Sequence, residues 1–131
     1  MTSQRILQLN AASTAVCAIA MIAERAILYP LFGLESPLIL DVIAVAFLAY
    51  AAAAVALAAA QRPVPRPALM FFAVADGAWV VGSGVILLLF WTNLAPIARI
   101  LIIAVAAVVD VFAMLQFRAA ARPVGHTAAV A

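Results

Sequence analysis

PALMFFAVADGAWVVGSGVILLLF, residues 67–90, is an unbroken apolar run in which Asp76 is the one charged side chain. At a helical rise of ~1.5 Å per residue it reaches ~36 Å, enough to cross a hydrocarbon core of ~30 Å. Lipid offers no water to an unpaired peptide group, so such a run must satisfy its own amides as a helix. Three similar stretches flank it, at residues 6–28, 37–60 and 96–117. The breaks carry turn chemistry: Tyr29-Pro30-Leu31-Phe32-Gly33-Leu34-Glu35-Ser36, Gln61-Arg62-Pro63-Val64-Pro65-Arg66, and Trp91-Thr92-Asn93-Leu94-Ala95. Pro37, Pro67 and Pro96 stand near helix starts, where a missing N–H costs little, and Ser36 is placed to cap the second span. The expected fold is all-α: a four-transmembrane-helix, up-and-down bundle forming one domain over residues 1–118.

Composition agrees. Hydrophobic residues make up 70% of the 131 and charged residues 9%, whereas a soluble domain is about half apolar and about a quarter charged. A water-soluble fold of this size has too little interior to hide so much apolar side chain. All basic residues are Arg, and Ala is abundant, a usage typical of G+C-rich bacterial genomes. The basic pI of 9.3 does not point to nucleic acid, because the Arg are scattered at span edges rather than gathered in a run. The expected partner is the lipid bilayer, with a homo-oligomer or a larger membrane complex beyond it.

Arg placement sets the expected orientation. With the N-terminus inside, Arg5, Arg62, Arg66, Arg118 and Arg122 are cytoplasmic, and only Arg25 and Arg99 lie outside. That bias follows the positive-inside rule, and Tyr29 and Trp91 fall where interfacial aromatics belong. A cleaved signal peptide, with Arg5 as its basic region and residues 11–23 as its apolar core, fits less well, since Glu24-Arg25 interrupts the run and Ile27-Leu28 resumes it. Residues 119–131 are expected to form a disordered cytoplasmic tail.

Ionisable residues inside spans are costly and mark candidate sites. Here they fall at two depths. The outer layer holds Glu24, Arg25, Asp41 and Arg99, whose charges cancel; Glu24–Arg99 and Asp41–Arg25 are the expected structural ion pairs. The inner layer holds Asp76 and Asp110, each about eight residues from the cytoplasmic end of its span and so ~12 Å deep, with no Arg at that level. Ser13 and Thr14 of the first span share this depth, and Asn10 is one turn nearer the cytoplasm.

Helical periodicity assigns faces. Asn10, Ser13, Thr14, Cys17, Met21 and Glu24 fall on one arc of the first span; Asp76, Trp79, Val80 and Ser83 on one arc of the third; Arg99, Ile103, Asp110, Met114 and Phe117 on one arc of the fourth. Each is expected to face the bundle interior. In the second span Asp41 and Tyr50 lie on opposite sides. The Asp41 face, continuing through Val45, Leu48, Ala52 and Ala59, is expected inward, which leaves Tyr50 to lipid or a partner chain. Two carboxyls without a nearby base cannot both stay ionised in a low dielectric, so at least one of Asp76 and Asp110 is expected to carry a proton and donate to Asn10, Ser13 or Thr14. The candidate proton or ligand site is therefore Asp76, Asp110, Asn10, Ser13, Thr14, Trp79 and Ser83.

Small residues at Ala73–Gly77, Ala78–Gly82 and Gly84, and the Ala of the second span, permit close helix approach, within the chain or between copies. Neither GxxxxGK[ST] nor GxGxxG occurs. The single His, His126, lies in the tail, and Cys17 stands alone without a His on any span to activate it. No metal, cofactor or enzymatic activity is expected.

Leu9-Asn10-Ala11-Ala12-Ser13, Ala75-Asp76-Gly77-Ala78-Trp79-Val80 with Ser83, and Ala113-Met114-Leu115-Gln116-Phe117 give the chain a pattern that resembles small uncharacterised bacterial four-helix integral membrane proteins. The resemblance implies four helices and the inner membrane, and carries no catalytic residues. In length and helix count the chain also resembles small multidrug transporters. Their key Glu lies in the first helix amid small residues, whereas Glu24 sits near the outer end beside Arg25. Three tasks follow as expectations: a structural or accessory protein acting through helix–helix contacts, a small proton- or cation-linked transporter using Asp76 and Asp110, or a binder of a lipid-like ligand near Trp79.

Overall fold

Thr2 starts the first helix, its side-chain oxygen accepting the Arg5 backbone N–H at 3.3 Å, a standard answer to an unsatisfied first turn. In the computed structural model, which describes residues 1–123, the chain then forms α1 (Ser3–Ala23), α2 (Arg25–Leu31), α3 (Leu38–Ala60), α4 (Arg66–Phe90) and α5 (Pro96–Ala121), with no strand among the described residues. The four long helices are long and apolar enough to cross a membrane. The expected four-helix, all-α bundle is what the chain folds into.

Boundaries differ from expectation in two places. The first apolar run is not one helix. It breaks at Glu24, whose backbone leaves the helical region and whose carbonyl accepts from both Ile27 and Leu28, so α2 sets off as a separate short element. At the other end of the chain, α5 continues to Ala121, three residues into the stretch assigned to the tail. Residues 124–131 of that tail, including His126, lie outside the described residues.

α2 ends in a two-bond cap. The Leu34 N–H reaches the Tyr29 carbonyl and the Gly33 N–H reaches the Pro30 carbonyl, the Schellman pattern, which calls for a left-handed residue. Gly33 supplies it at φ +67°, and a Cβ there would stand 2.7 Å from the Asn93 carbonyl oxygen. The close approach lets the Ala95 N–H donate to the Leu31 carbonyl at 2.9 Å, tying the two loops at this end of the bundle together.

Two tight helix pairs make up the bundle: α1 with α3, and α4 with α5. The pairs meet mainly along α1 and α5. The α1–α3 seam is built from alanine. Leu40, Ala44, Ala51, Ala54 and Ala58 form the buried stripe of α3, opposite Leu7, Ala11 and Ala18 of α1. Their three- and four-residue steps repeat every seven residues, the spacing of a coiled-coil seam, and the missing side-chain bulk lets backbones close up. This stripe corrects the assigned face of α3. Val45, Leu48, Ala52 and Ala59 are exposed, because close packing on α1 selects the alanine stripe rather than the one bearing Asp41. Leu7, Ala11, Ala51, Ala54, Ala58, Val64, Leu69, Phe72 and Ala120 form one core cluster at the end of the bundle that carries the N-terminus.

Candidate functional site

Directly above that core, three long helices place one polar side chain each against a common point. Asn10 of α1 is 1% exposed and Asp76 of α4 is 6% exposed; Tyr50 of α3 is half-buried. The Asn10 amide donates to Asp76 Oδ2 at 2.7 Å and to the Tyr50 hydroxyl oxygen at 2.9 Å. The Tyr50 hydroxyl donates in turn to Asp76 Oδ1 at 2.6 Å. Asn10 Oδ1 accepts from the Thr14 hydroxyl at 3.5 Å, the longest bond of the set. Both carboxyl oxygens thus accept from neutral donors of the protein. Among the described residues no Arg reaches this level; the cations lie at the ends of the helices.

From α5 comes a fourth polar group. Gln116 is fully buried and adjoins Tyr50 and Asp76, but its amide nitrogen and oxygen both lack a hydrogen-bond partner. The cluster therefore draws at least one polar residue from each of the four long helices, and two, Asn10 and Thr14, from α1.

Beside the cluster, toward the middle of the bundle, lies a cavity of about 500 Å³. All four long helices line it. Thr14 and Cys17 come from α1, Phe47 and Tyr50 from α3, Asp76 and Trp79 from α4, and Val105 and Val109 from α5. Aromatic edges join α3 to α4 beside it: Phe47 against Trp79 at 4.7 Å and 72°, and Tyr50 against Phe72 at 5.1 Å and 83°. The Trp79 indole N–H is buried without a partner. The cavity is a half-open groove whose rim includes the exposed Val16 and Val108, and a buried unpaired donor beside it calls for a partner. Apolar walls with a few convergent polar groups, in a volume of this order, are the usual make-up of a small-molecule site.

The sequence-assigned site residues divide. Asn10, Thr14 and Asp76 meet directly, and Ser13 and Trp79 join them at the cavity wall. Ser83 does not join: its hydroxyl donates to the Trp79 carbonyl one turn back, at 2.9 Å. Asp110 does not join either. It is exposed on the outside of the bundle, and Val108 and Val109 take the cavity wall in its place. The face of α5 assigned inward, Ile103, Asp110, Met114 and Phe117, is the exposed one, while Ala98 and Gln116 mark the buried face. With the two aspartates apart, repulsion between them cannot set the charge of either. Tyr50 is corrected in the opposite sense, from lipid-facing to a direct partner of Asp76. Tyr50 and Gln116 are the site residues that sequence reasoning missed. The signal available was their being neutral polar groups within apolar runs, where an amide or hydroxyl also needs a partner.

At the far end of the bundle, one of the two expected ion pairs forms. Arg25 Nη1 meets Asp41 Oδ2 at 2.9 Å with both side chains partly exposed. Glu24–Arg99 does not form. Glu24 is exposed at the α1–α2 break, and Arg99 instead donates from Nε to the Leu94 carbonyl at 3.1 Å, its guanidinium 4.3 Å above the Trp91 ring. Among the described residues no three His, Cys, Asp or Glu side chains gather as metal ligands.

No protein-family model matches the chain, and neither does any curated protein or solved structure.

Proposed function

We propose that this is a multi-pass protein of the bacterial inner membrane, with both termini cytoplasmic, that binds an amphipathic ligand bearing a basic nitrogen or quaternary ammonium in the cavity at Asp76. The single observation that carries the reading is an acceptor-only carboxyl at the wall of an apolar, aromatic-lined cavity, with no cation of the chain near it. A carboxylate in so apolar a setting is costly unless a cation partners it. The faces of Tyr50, Phe47 and Trp79 add an attraction of about 0.5–2 kcal/mol for a cation in van der Waals contact. The apolar walls suit a hydrocarbon tail entering from the bilayer.

The Arg distribution supports the orientation: Arg5, Arg62, Arg66, Arg118 and Arg122 stand at the end of the bundle that bears the N-terminus, and Arg25 and Arg99 at the other. A purely structural role for the Asn10–Tyr50–Asp76 triad explains its hydrogen bonds, each worth about 0.6–2 kcal/mol between membrane helices, but gives no use to the half-open apolar groove next to it. The proton-linked reading rested on two carboxyls at one site, and Asp110 is not at this one.

The test is calorimetric titration of the chain in lipid nanodiscs, with empty nanodiscs as the blank. Octyltrimethylammonium should bind saturably, and octyl sulfate, with the same tail, should not. Asp76→Asn should weaken ammonium binding at least about tenfold, or ~1.4 kcal/mol. Equal binding of both surfactants, or an unchanged affinity in Asp76→Asn, would contradict the reading.

A further inference from the structure

Asp110 is left without a purpose by the site above, and its position is the more demanding of the two aspartates. It lies near the middle of α5, ~16 Å of helix from Ala121 and ~21 Å from Pro96, on the outer surface of the bundle. No hydrogen bond or ion pair reaches it among the described residues. Its side chain is too short to reach an interface as Lys and Arg do, and intramembrane acids are seldom left facing lipid. Something therefore covers this face.

The surroundings indicate what. Ile100, Ile103, Ala107, Asp110, Met114 and Phe117 are all exposed and follow one another at steps of three, four, three, four and three residues. That is an uninterrupted two-in-seven seam, the pattern by which parallel helices supercoil. α5 is also the long helix whose apolar window is least covered by the rest of the chain, at 6% against 22–28% for the others. On the neighbouring α4, a Cβ added at Gly77 or Gly84 would meet nothing within 4 Å, so these glycines are not used for packing inside the chain.

We propose that a second copy of this chain covers α5, the two helices packing in parallel along that seam with the two Asp110 side chains face to face. Two copies inserted in the same direction place Asp110 at equal depth, and a two-fold axis along the membrane normal brings like to like. A carboxylic acid is one of the few groups that satisfies itself in such a pairing: each protonated carboxyl donates one hydrogen bond and accepts one. Ala107, one turn away, is small enough for the helices to close on the pair. A single polar residue in an apolar seam also fixes register, since sliding either helix would bury an unpaired carboxyl. The inference is independent of the cavity, which lies on the opposite side of α5.

Cysteine cross-linking in membranes tests it, using the full chain with Cys17→Ser as background. Ala107→Cys and Met114→Cys should give disulfide-linked dimers on oxidation, and Val45→Cys, exposed on α3, should not. Fluorescence energy transfer in liposomes should show at least a tenfold weaker dimer for Asp110→Leu, with Asp110→Asn, which still donates and accepts, close to the parent. Absence of dimer at both seam positions, equal cross-linking at Val45, or an Asp110→Leu equilibrium like the parent's would overturn it. Cross-linking of the seam to a different, larger protein in place of the dimer would also overturn it.

Discussion

Asp76 and Asp110 sit on neighbouring, tightly packed helices, yet the fold treats them in opposite ways. Asp76 is buried and accepts from two donors supplied by two other helices. Asp110 is exposed and accepts from none within the described residues. The difference teaches that depth along a helix and angle around it are separate facts. Depth was readable from residue counting. Angle depends on which stripe of each helix packs, and that is settled by close fit rather than by polarity. On α5 the buried residues are Ala98, Gln116 and Ala120, and Asp110, about a third of a turn around the helix from Gln116, is carried outward.

If this contrast is right, the largest effect belongs to Asp76→Leu. It leaves the Tyr50 O–H and one Asn10 N–H without an acceptor, at a cost of about 2–4 kcal/mol for two unsatisfied donors. Steric-trapping measurements of unfolding in bilayers should show that loss, and Asp76→Asn should recover most of it. Tyr50→Phe comes next. It removes two of the three triad bonds but leaves Asp76 with Asn10, and should cost about 1–2 kcal/mol by the same measurement. Asp110→Leu should change the stability of the single chain by no more than about 0.5 kcal/mol, as for a surface substitution with no local partner, its effect appearing instead in self-association. A comparable loss from Asp76→Leu and Asp110→Leu within one chain would break the comparison.

The smallest effect is expected at the far end. The Arg25–Asp41 pair is partly exposed, and exposed pairs contribute about 0.2–1 kcal/mol. A double-mutant cycle of Arg25→Ala and Asp41→Ala should give a coupling in that range that shrinks as salt is raised. This sharpens the contrast between the buried triad, which salt should leave almost unchanged, and the solvent-facing pair.

Fold and site were legible to different degrees, for physical reasons. Four helices could be read because lipid imposes a length and an internal hydrogen-bond rule that the apolar runs meet. On α1 the assigned arc was readable in part: Asn10 is buried and Ser13, Thr14, Cys17 and Met21 are half-buried, but Glu24 is exposed and the packing stripe is Leu7, Ala11 and Ala18. On α3 and α5 both faces are apolar, and hydropathy cannot rank one greasy stripe over another. There the decision falls to side-chain volume. The alanine stripe of α3 wins over the stripe bearing Asp41, and this turns Tyr50 inward to Asp76. Gln116 lies close to the end of its apolar run, two residues before Arg118, where an amide reads as an end-of-helix polar group, yet it is fully buried. The Glu24 break was hidden by the apolar residues on both sides of it; only the backbone path, with the Glu24 carbonyl shared by Ile27 and Leu28, shows that the helix stops.

Photolabelling probes the cavity at Asp76 most directly. An alkylammonium carrying a diazirine next to its nitrogen would be activated in nanodiscs holding the intact chain, and the adducts mapped by mass spectrometry. Ammonium binding at Asp76 predicts adducts on Thr14, Phe47 and Trp79, competed away by unlabelled octyltrimethylammonium and lost in Asp76→Asn. Adducts spread over exposed positions such as Val45 and Val81, insensitive to both competitor and substitution, would contradict it.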